Sequence, residues 1–446
     1  MSSSFISDLI ASITDRRPGA SSRSRRTVPA LPAPQPPLAS LCEALISRRG
    51  EASGVAIAKE ILRRWDELFP QERREFLIEL ARDFGPCIPR LQDAIARWQA
   101  EHSPAALNEL NRAAEPVRQE VIRRLNLAPG GTARLVKMRE ELIDNIGSDP
   151  LLEVLDADFQ HLFASWFNRG FLTLRRIDWS TSASVLERII RYEAVHEIRD
   201  WNDLRLRIEP EDRRLFSFFH PQMAEDPLIF VEVALTDQIP AAIGPLLAED
   251  RPVIAPKDAR VAVFYSISNC HEGLKGVSFG SFLIKQVVED LKRELPLLNT
   301  FVTLSPVPGF ASWLKSARKA ANSGLAPETL DALHALDSSA TAEAIENSPA
   351  LNDALSRAAA HYFLTAKGKR NRPLDPVARF HLGNGARLER INVLGDRSDK
   401  GLRQAHGLMV NYLYDLDAIE KNHEAYAEKG EIAASTAVRA RLRQRA

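Results

Sequence analysis

The chain has 446 residues, with 59 Lys and Arg set against 59 Asp and Glu, so its formal net charge at pH 7 is zero. That balance excludes a protein whose main task is coating nucleic acid or an anionic membrane, because both demand a global positive excess. Hydrophobic residues make up 45% and charged residues 26%, the composition of a soluble globular protein. Such a length implies two or three domains and a core that needs neither disulfides nor a structural metal. Cys42, Cys87 and Cys270 lie far apart with no C-x-x-C pair, which argues against a disulfide framework or zinc finger and for a reducing compartment.

Residues 1–37 are rich in Ser, Arg and Pro, with a proline-rich stretch from Pro29 to Pro37. They read as a disordered tail or as a transit peptide; Asp8 and Asp15 interrupt the basic character that the second reading needs. Residues 38–169 show a helical period throughout, punctuated by Pro70, Pro86, Pro104, Pro116 and Pro129. Leu135, Met138, Leu142 and Ile146 share one face. Ser148-Asp149-Pro150 announces another helix, whose apolar face (Leu152, Leu155, Phe159, Leu162, Phe163, Trp166) is broad enough to meet another helix or another chain. The segment is expected to be an all-helical bundle for packing or oligomerisation. No apolar run approaches the roughly 20 residues of a membrane span.

From residue 170 to 446 the period changes. Strands are expected at Phe171–Trp179, Leu215–Phe219, Leu228–Thr236, Val261–Ile267, Thr300–Leu304, Arg387–Leu394 and Leu408–Asp415. The runs beginning at Leu228 and Val261 are almost continuously apolar and so central in a sheet. Helices are expected at Ala183–Ala194 and Trp201–Ile208, through Phe279–Leu291 up to Pro296, across the Ala-rich stretch from Pro308 to Ala366, and at Pro376–Leu382.

Gly273-Leu274-Lys275-Gly276-Val277-Ser278-Phe279-Gly280-Ser281 joins a buried strand to an amphipathic helix. Its glycines allow close backbone approach to an anion, the helix start offers free N–H groups, and Lys275 adds charge. A plain strand-to-helix turn is the alternative. The same residues match G-x-S-x-G, the nucleophile elbow, but about eight residues separate the strand from Gly276, which argues against Ser278 as a nucleophile. Ser305 follows a strand and is stiffened by Pro306 and Pro308, or it merely begins a turn. His381 sits near the end of a short helix with Asp375 as N-cap and Asn384-Gly385 as stop. There the helix dipole is expected to favour the protonated imidazole of a general acid; a packing role is the alternative. The other histidines show no metal spacing. Lys367, Lys369, Arg370 and Arg372 form a basic run that suits nucleic acid, a phosphate-bearing ligand or a solvated loop.

The element order resembles the GNAT fold of acyl-CoA-dependent acetyltransferases, and Lys275–Gly280 is a loose version of that family's R/Q-x-x-G-x-G/A motif, with Lys and Ser as departures. His381 falls where a tyrosine often stands in those enzymes. Longer phrases carry a closer likeness: residues 226–236 (DPLIFVEVALT), 264–268 (FYSIS), 304–310 (LSPVPGF), 380–386 (FHLGNGA) and 407–412 (GLMVNY). With these the chain resembles the malonyl-CoA decarboxylase family from about Leu38 onward. The resemblance implies an N-terminal helical oligomerisation domain (38–169) followed by a GNAT-like mixed-sheet acyl-CoA domain (170–446), an α + α/β architecture. It implies conversion of malonyl-CoA to acetyl-CoA and CO₂ without an added cofactor, with neither nucleic acid nor membrane as partner. Lys275, Gly276, Val277, Ser278, Phe279, Gly280 and Ser281 would bind CoA, and Ser305 and His381 would contact the substrate and catalyse. It further implies a homo-oligomer, a tetramer being suspected. The location expected is cytoplasmic, or the mitochondrial matrix if the N-terminal tail is a transit peptide. The peroxisomal S-K-L ending of some members is replaced by Arg445-Ala446. The alternatives are a GNAT acyltransferase acting on an amine, against which the missing tyrosine counts, and a non-catalytic CoA-binding scaffold.

Overall fold

The computed structural model describes residues 36–47, 50–277, 282–320, 323–338, 341–368 and 371–442. The helical period of the first part becomes α1 (Leu38–Ile46), α2 (Glu51–Glu67), α3 (Pro70–Asp83), α4 (Ile88–Glu101), α5 (Pro104–Ala114), α6 (Val117–Asn126), α7 (Gly131–Asn145) and α8 (Pro150–Trp166). Pro70, Pro104 and Pro150 each occupy a first turn, where the missing N–H is harmless and φ is already helical. Ser103 and Asp149 cap α5 and α8 by accepting the amides of Ala106 and Leu151.

These helices form the first of two compact units, Met1–Phe171 together with Pro221–Met223 and His271–Ser278. The apolar face of α8 is used inside this unit: Leu152, Leu155, Phe159, Leu162 and Phe163 are buried, and α8 packs on α3, α6 and α7. Of the two occupants expected for that face, another helix is the one found. The same helix buries two aspartates. Asp158 accepts from Arg118 and Gln119, and Asp156 accepts from Nε of Arg139 at 2.7 Å. Arg139 is 1% exposed, and its Nη1 also donates to the carbonyl of Gly273 at 2.7 Å. Removing one partner of a buried pair strands the other charge, at about 3–5 kcal/mol. Arg139→Ala is therefore expected to lower stability by that order in urea unfolding, with Asp156 left in place.

The second unit comprises Leu172–His220, Ala224–Cys270 and Phe279–Ala446. Its strands are β1 (Thr173–Ile177), β2 (Arg213–Phe219), β3 (Ile229–Thr236), β4 (Val261–Asn269), β5 (Thr300–Thr303), β6 (Ser305–Pro306), β7 (Arg387–Asn392) and β8 (Met409–Leu413). They form one mixed sheet in the order β1-β2-β3-β4-β5-β8-β6, with β7 also on β8. β4 and β5 are parallel; the other strand-to-strand pairings among the described residues are antiparallel, and an isolated parallel bridge joins Leu388 to Ala434. This is the mixed-sheet domain expected after the bundle. Its longer helices are α9 (Ala183–Tyr192), α10 (Trp201–Ile208), then, past the one-turn α11 (Gly244–Leu247), α12 (Phe282–Glu294) and α13 (Phe310–Ala317). The Ala-rich stretch continues as α14 (Pro327–Leu333), α15 (Ala335–Ser338), α16 (Ala342–Glu346) and α17 (Pro349–Leu364), and α18 (Pro376–Gly383) follows. After β7 come α19 (Asp399–Ala405), α20 (Ile419–Lys429) and α21 (Thr436–Ala440).

Three departures from the sequence reading have simple causes. β2 begins at Arg213, two residues early, because its arginines are satisfied where they lie: Arg213 donates to the Leu246 carbonyl and Arg214 to Glu294, each at 2.6 Å. β1 begins late because Arg169–Phe171 forms a 3₁₀ turn. The strand expected through Leu304 breaks into β5 and β6, and that break makes the site.

Candidate active site

The parallel pairing of β4 with β5 ends at Phe264 opposite Thr303, and the Leu304 amide donates to the Phe264 carbonyl at 3.0 Å. The two strands then part. β4 runs on to Asn269 beside β3, while Ser305 and Pro306 turn to β8, opposite Val410 and Met409. The parting leaves a cleft of about 250 Å³ lined by Phe264, Tyr265, Ile267, Asn269, Val195, Ile229, Ser305, Pro306, Pro376, Val377, Phe380 and His381.

Ser305 and His381 meet here. Ser305 Oγ lies 3.2 Å from His381 Nε2 and 2.9 Å from Thr303 Oγ1. α18 delivers the histidine. Asp375 Oδ1 accepts the Ala378 amide at 2.8 Å, and Pro376 takes the first turn. The helix stops at Gly385, whose φ of +80° and closeness to the Ile419 carbonyl (2.1 Å from a Cβ built there) leave no room for a side chain. The imidazole stacks on Tyr412 at 4.6 Å, and its Nδ1 lies 2.7 Å from the Tyr414 hydroxyl. Thr303 Oγ1 in turn accepts the Tyr412 amide at 3.1 Å. The contacts around the imidazole are mutually consistent when Asn384 donates to the Tyr414 oxygen, Tyr414 donates to Nδ1, and Nε2–H points at Ser305 and the cleft; the Tyr412 hydroxyl has no hydrogen-bond partner among the described residues.

Burial in these surroundings pushes the His381 imidazolium down to about 3. This corrects the expectation of a protonated acid. A helix C-terminus stabilises a cation by up to about 2 kcal/mol, and complete desolvation outweighs it. At neutral pH the resting His381 is a neutral imidazole.

The expected CoA loop divides. Ser278, Phe279, Gly280 and Ser281 lie outside the described residues. Lys275, Gly276 and Val277 belong to the first unit. The Lys275 side chain is 70% exposed and lies 3.6 Å from Glu272. Gly276 has φ +80°, which favours glycine. Gly273, by contrast, is required by packing: a Cβ there would meet the Val136 carbonyl at 2.0 Å. In the basic run, Lys369 and Arg370 also lie outside the described residues, while Lys367 bridges to Pro373 and Arg372 sits over the Tyr426 ring at 5.9 Å. Among the described residues no cluster of three His, Cys, Asp or Glu side chains is placed to hold a metal.

The sequence reading missed Thr303, Tyr412 and Tyr414. The two tyrosines did carry a signal: spaced two apart at the end of an expected strand, they fall on one face. It also missed Glu193, whose carboxyl accepts from the Val195 and His196 amides and the Ser266 and Ser268 hydroxyls, behind the Val195 wall of the cleft. Burial, then the nearby Glu232 charge, pushes Glu193 up to about 8. A folded value above the ordinary 4.5 contributes stability that is complete below pH 4.5 and lost as pH rises through 8. Glu193→Gln is expected to flatten the fall in melting temperature over that window; an unchanged slope would show the carboxyl already ionised.

Two family models match the chain: the malonyl-CoA decarboxylase N-terminal domain over residues 84–167 and the C-terminal domain over residues 170–446. A solved malonyl-CoA decarboxylase from Rhodopseudomonas palustris is 58% identical, with a TM-score of 0.85 over 90% of this chain and 98% of that one. One from Agrobacterium vitis is 56% identical, with a TM-score of 0.87 over 91% and 100%. The mitochondrial malonyl-CoA decarboxylase of Anser anser anser is 34% identical over 82% of this chain and 79% of its own. With matches to both domain models and to relatives over most of their length, the chain belongs to the malonyl-CoA decarboxylase family.

Proposed function

We propose that the cleft between β4 and β6 is where this enzyme, a carboxy-lyase of malonyl-CoA, cleaves its substrate to acetyl-CoA and CO₂, with Ser305 and His381 as the acting side chains. The observation that carries the reading is the 3.2 Å approach of these two side chains where the sheet parts. Breaking the bond to the carboxylate leaves its electron pair on the α-carbon, conjugated with the thioester as an enolate. A lyase of this kind must desolvate the carboxylate, stabilise the enolate and protonate the carbon. The apolar walls supplied by Phe264, Ile267, Val377 and Phe380 serve the first need. Ser305 holds the malonyl group against the rigid proline turn.

His381 serves the other two needs as a neutral donor. Its Nε2–H bonds to the developing enolate and then passes to the carbon, while the Tyr414 proton shifts to Nδ1 so that the ring does not become anionic. Once product leaves, water in the cleft protonates Nε2 and the Nδ1 proton returns to the buried Tyr414. The enolate carbon is far more basic than a phenolate, so the transfer runs downhill. The backbone from Tyr265 to Asn269, unpaired by β5, offers peptide groups to the amides of the pantetheine arm. The family likeness assigns the CoA phosphates to Lys275, Gly276 and Val277, of which Lys275 is exposed.

Loss of a well-placed proton donor costs about 10²–10⁴ in rate. His381→Ala is expected to lower kcat by that order while CoA still binds, with acetyl-CoA and CO₂ measured from malonyl-CoA alone; near-normal turnover would sink the assignment. Lys275→Ala is expected to raise KM more than it lowers kcat, and an unchanged KM would remove the phosphate role. Incubation with an amine acceptor separates the acyltransferase reading, in which turnover depends on the amine.

The helical unit is proposed to assemble copies of the chain. Ile88, Ile95 and Leu107 lie exposed on the α4–α5 hairpin and supply the apolar surface that α8 does not. Among the described residues no helix is long and apolar enough to cross a membrane. A cytoplasmic location is proposed on the likeness to the bacterial relatives; in the matrix reading residues 1–37 would be removed, which the mass of the mature N-terminus decides.

A further inference from the structure

Val195, which lines the cleft, stands in the connection between α9 and α10, a stretch with neither helix nor strand. An irregular segment keeps its place only where its peptide groups are bound. Here they are bound on both sides. Inside, the Glu193 carboxyl accepts the Val195 and His196 amides at 2.8 and 2.7 Å, and the hydroxyls of Ser266 and Ser268 at 2.8 and 3.1 Å. Outside, Lys400 Nζ donates to the Ala194 and Val195 carbonyls at 2.7 and 3.1 Å.

The inner contacts close into a ring. Glu232 lies opposite Ser266 across the β3–β4 pair and accepts from Arg207 Nη1 at 2.8 Å. Arg207 Nη2 donates to the His196 carbonyl at 3.3 Å, which leads back to Glu193. Glu193, Ser266, Glu232 and Arg207 are all buried. Ser266 and Ser268 belong to the part of β4 that β5 has left, and they alternate with Tyr265, Ile267 and Asn269, which line the cleft. The ring thus ties one wall of the cleft to the strand that forms another.

We infer that Glu193 is a positioning residue for substrate binding, a clamp that seats the Val195 wall on the free edge of β4 and so sets the width of the cleft; this rests on the reading of that cleft as the substrate site. It explains a buried acid at 193, where an apolar side chain would fill the space but leave two amides and two hydroxyls unpaired. The dyad stands apart from the ring, since Ser305 bonds to Thr303 and His381 to Tyr414. The clamp therefore acts on how tightly the substrate is gripped and not on the proton transfer.

Glu193→Ala releases the wall. One methylene of contact in an apolar pocket is worth about 10- to 200-fold, so KM for malonyl-CoA is expected to rise about 10-fold, with kcat within about threefold. That split separates a clamp from a merely structural acid: partial unfolding removes active molecules and lowers the apparent kcat, while the remaining molecules keep their KM. Glu193→Gln offers an oxygen to the two amides and an NH₂ group to the two hydroxyls, and should hold KM within about twofold of wild type. Val195→Ala trims the wall itself and should reproduce the rise; in that background Glu193→Ala should add at most about twofold. If Glu193→Ala does not fold, Ser266→Ala combined with Ser268→Ala cuts the tie to β4 while the carboxyl still holds its own turn, and the same rise in KM is expected. Wild-type KM in Glu193→Ala, in the serine pair or in Val195→Ala would overturn the clamp and leave the cleft standing, as would an equal rise in Glu193→Gln. Near-normal turnover in His381→Ala would instead overturn the reading of the cleft beneath it.

Discussion

A histidine buried without a counter-charge is the constraint on which the site depends. Placing an imidazole 3% exposed beneath a cleft makes its charged form prohibitive, so its chemistry must be that of a neutral ring. Each neighbour then has a definite task. Tyr414 and Asn384 choose the tautomer, Tyr412 supplies a flat wall, Thr303 takes the serine proton, and Asp375 carries the helix end. A carboxylate at the Tyr414 position would raise the histidine's proton affinity and convert the site towards base catalysis. A phenol leaves the ring neutral, which fits the proposed role of His381 as a proton donor.

The sheet makes room for this chemistry by a change of partner. A parallel pair cannot diverge without leaving peptide groups unpaired, and those groups are useful only where a ligand takes them up. Here the divergence falls within two residues of the serine. Pro306, Pro308 and the split of the expected strand at Leu304 are therefore one device: prolines that cannot continue a ladder end it beside the cleft proposed to take the substrate.

Much of this was legible beforehand. The helical period up to residue 169, the two apolar central strands, the punctuation around His381 and the prolines after Ser305 all follow from local rules, and they appear where those rules put them. What escaped were features set by distant partners. Arg213 and Arg214 look like loop residues until Leu246 and Glu294 satisfy them. Asp156 and Asp158 look like the solvent face of α8 until Arg139 and Arg118 arrive. The ionisation of His381 was misjudged for the same reason: the dipole is readable from a helix end, but the depth of burial is a property of everything packed over it. Tyr414, two residues from Tyr412, was within reach of a strand-period argument.

The carbonyl of Gly273, held by Arg139 of α7, bears on how the chain can be divided. By composition the boundary falls near residue 170, and an expression clone beginning there would look complete in its sheet. It would nevertheless lack the floor on which residues 271–277 lie, because that floor is Val136, Glu140 and Arg139. A loop read from the sequence as part of the sheet module packs within the helical unit instead. Those helix residues are a condition for the shape of residues 271–277.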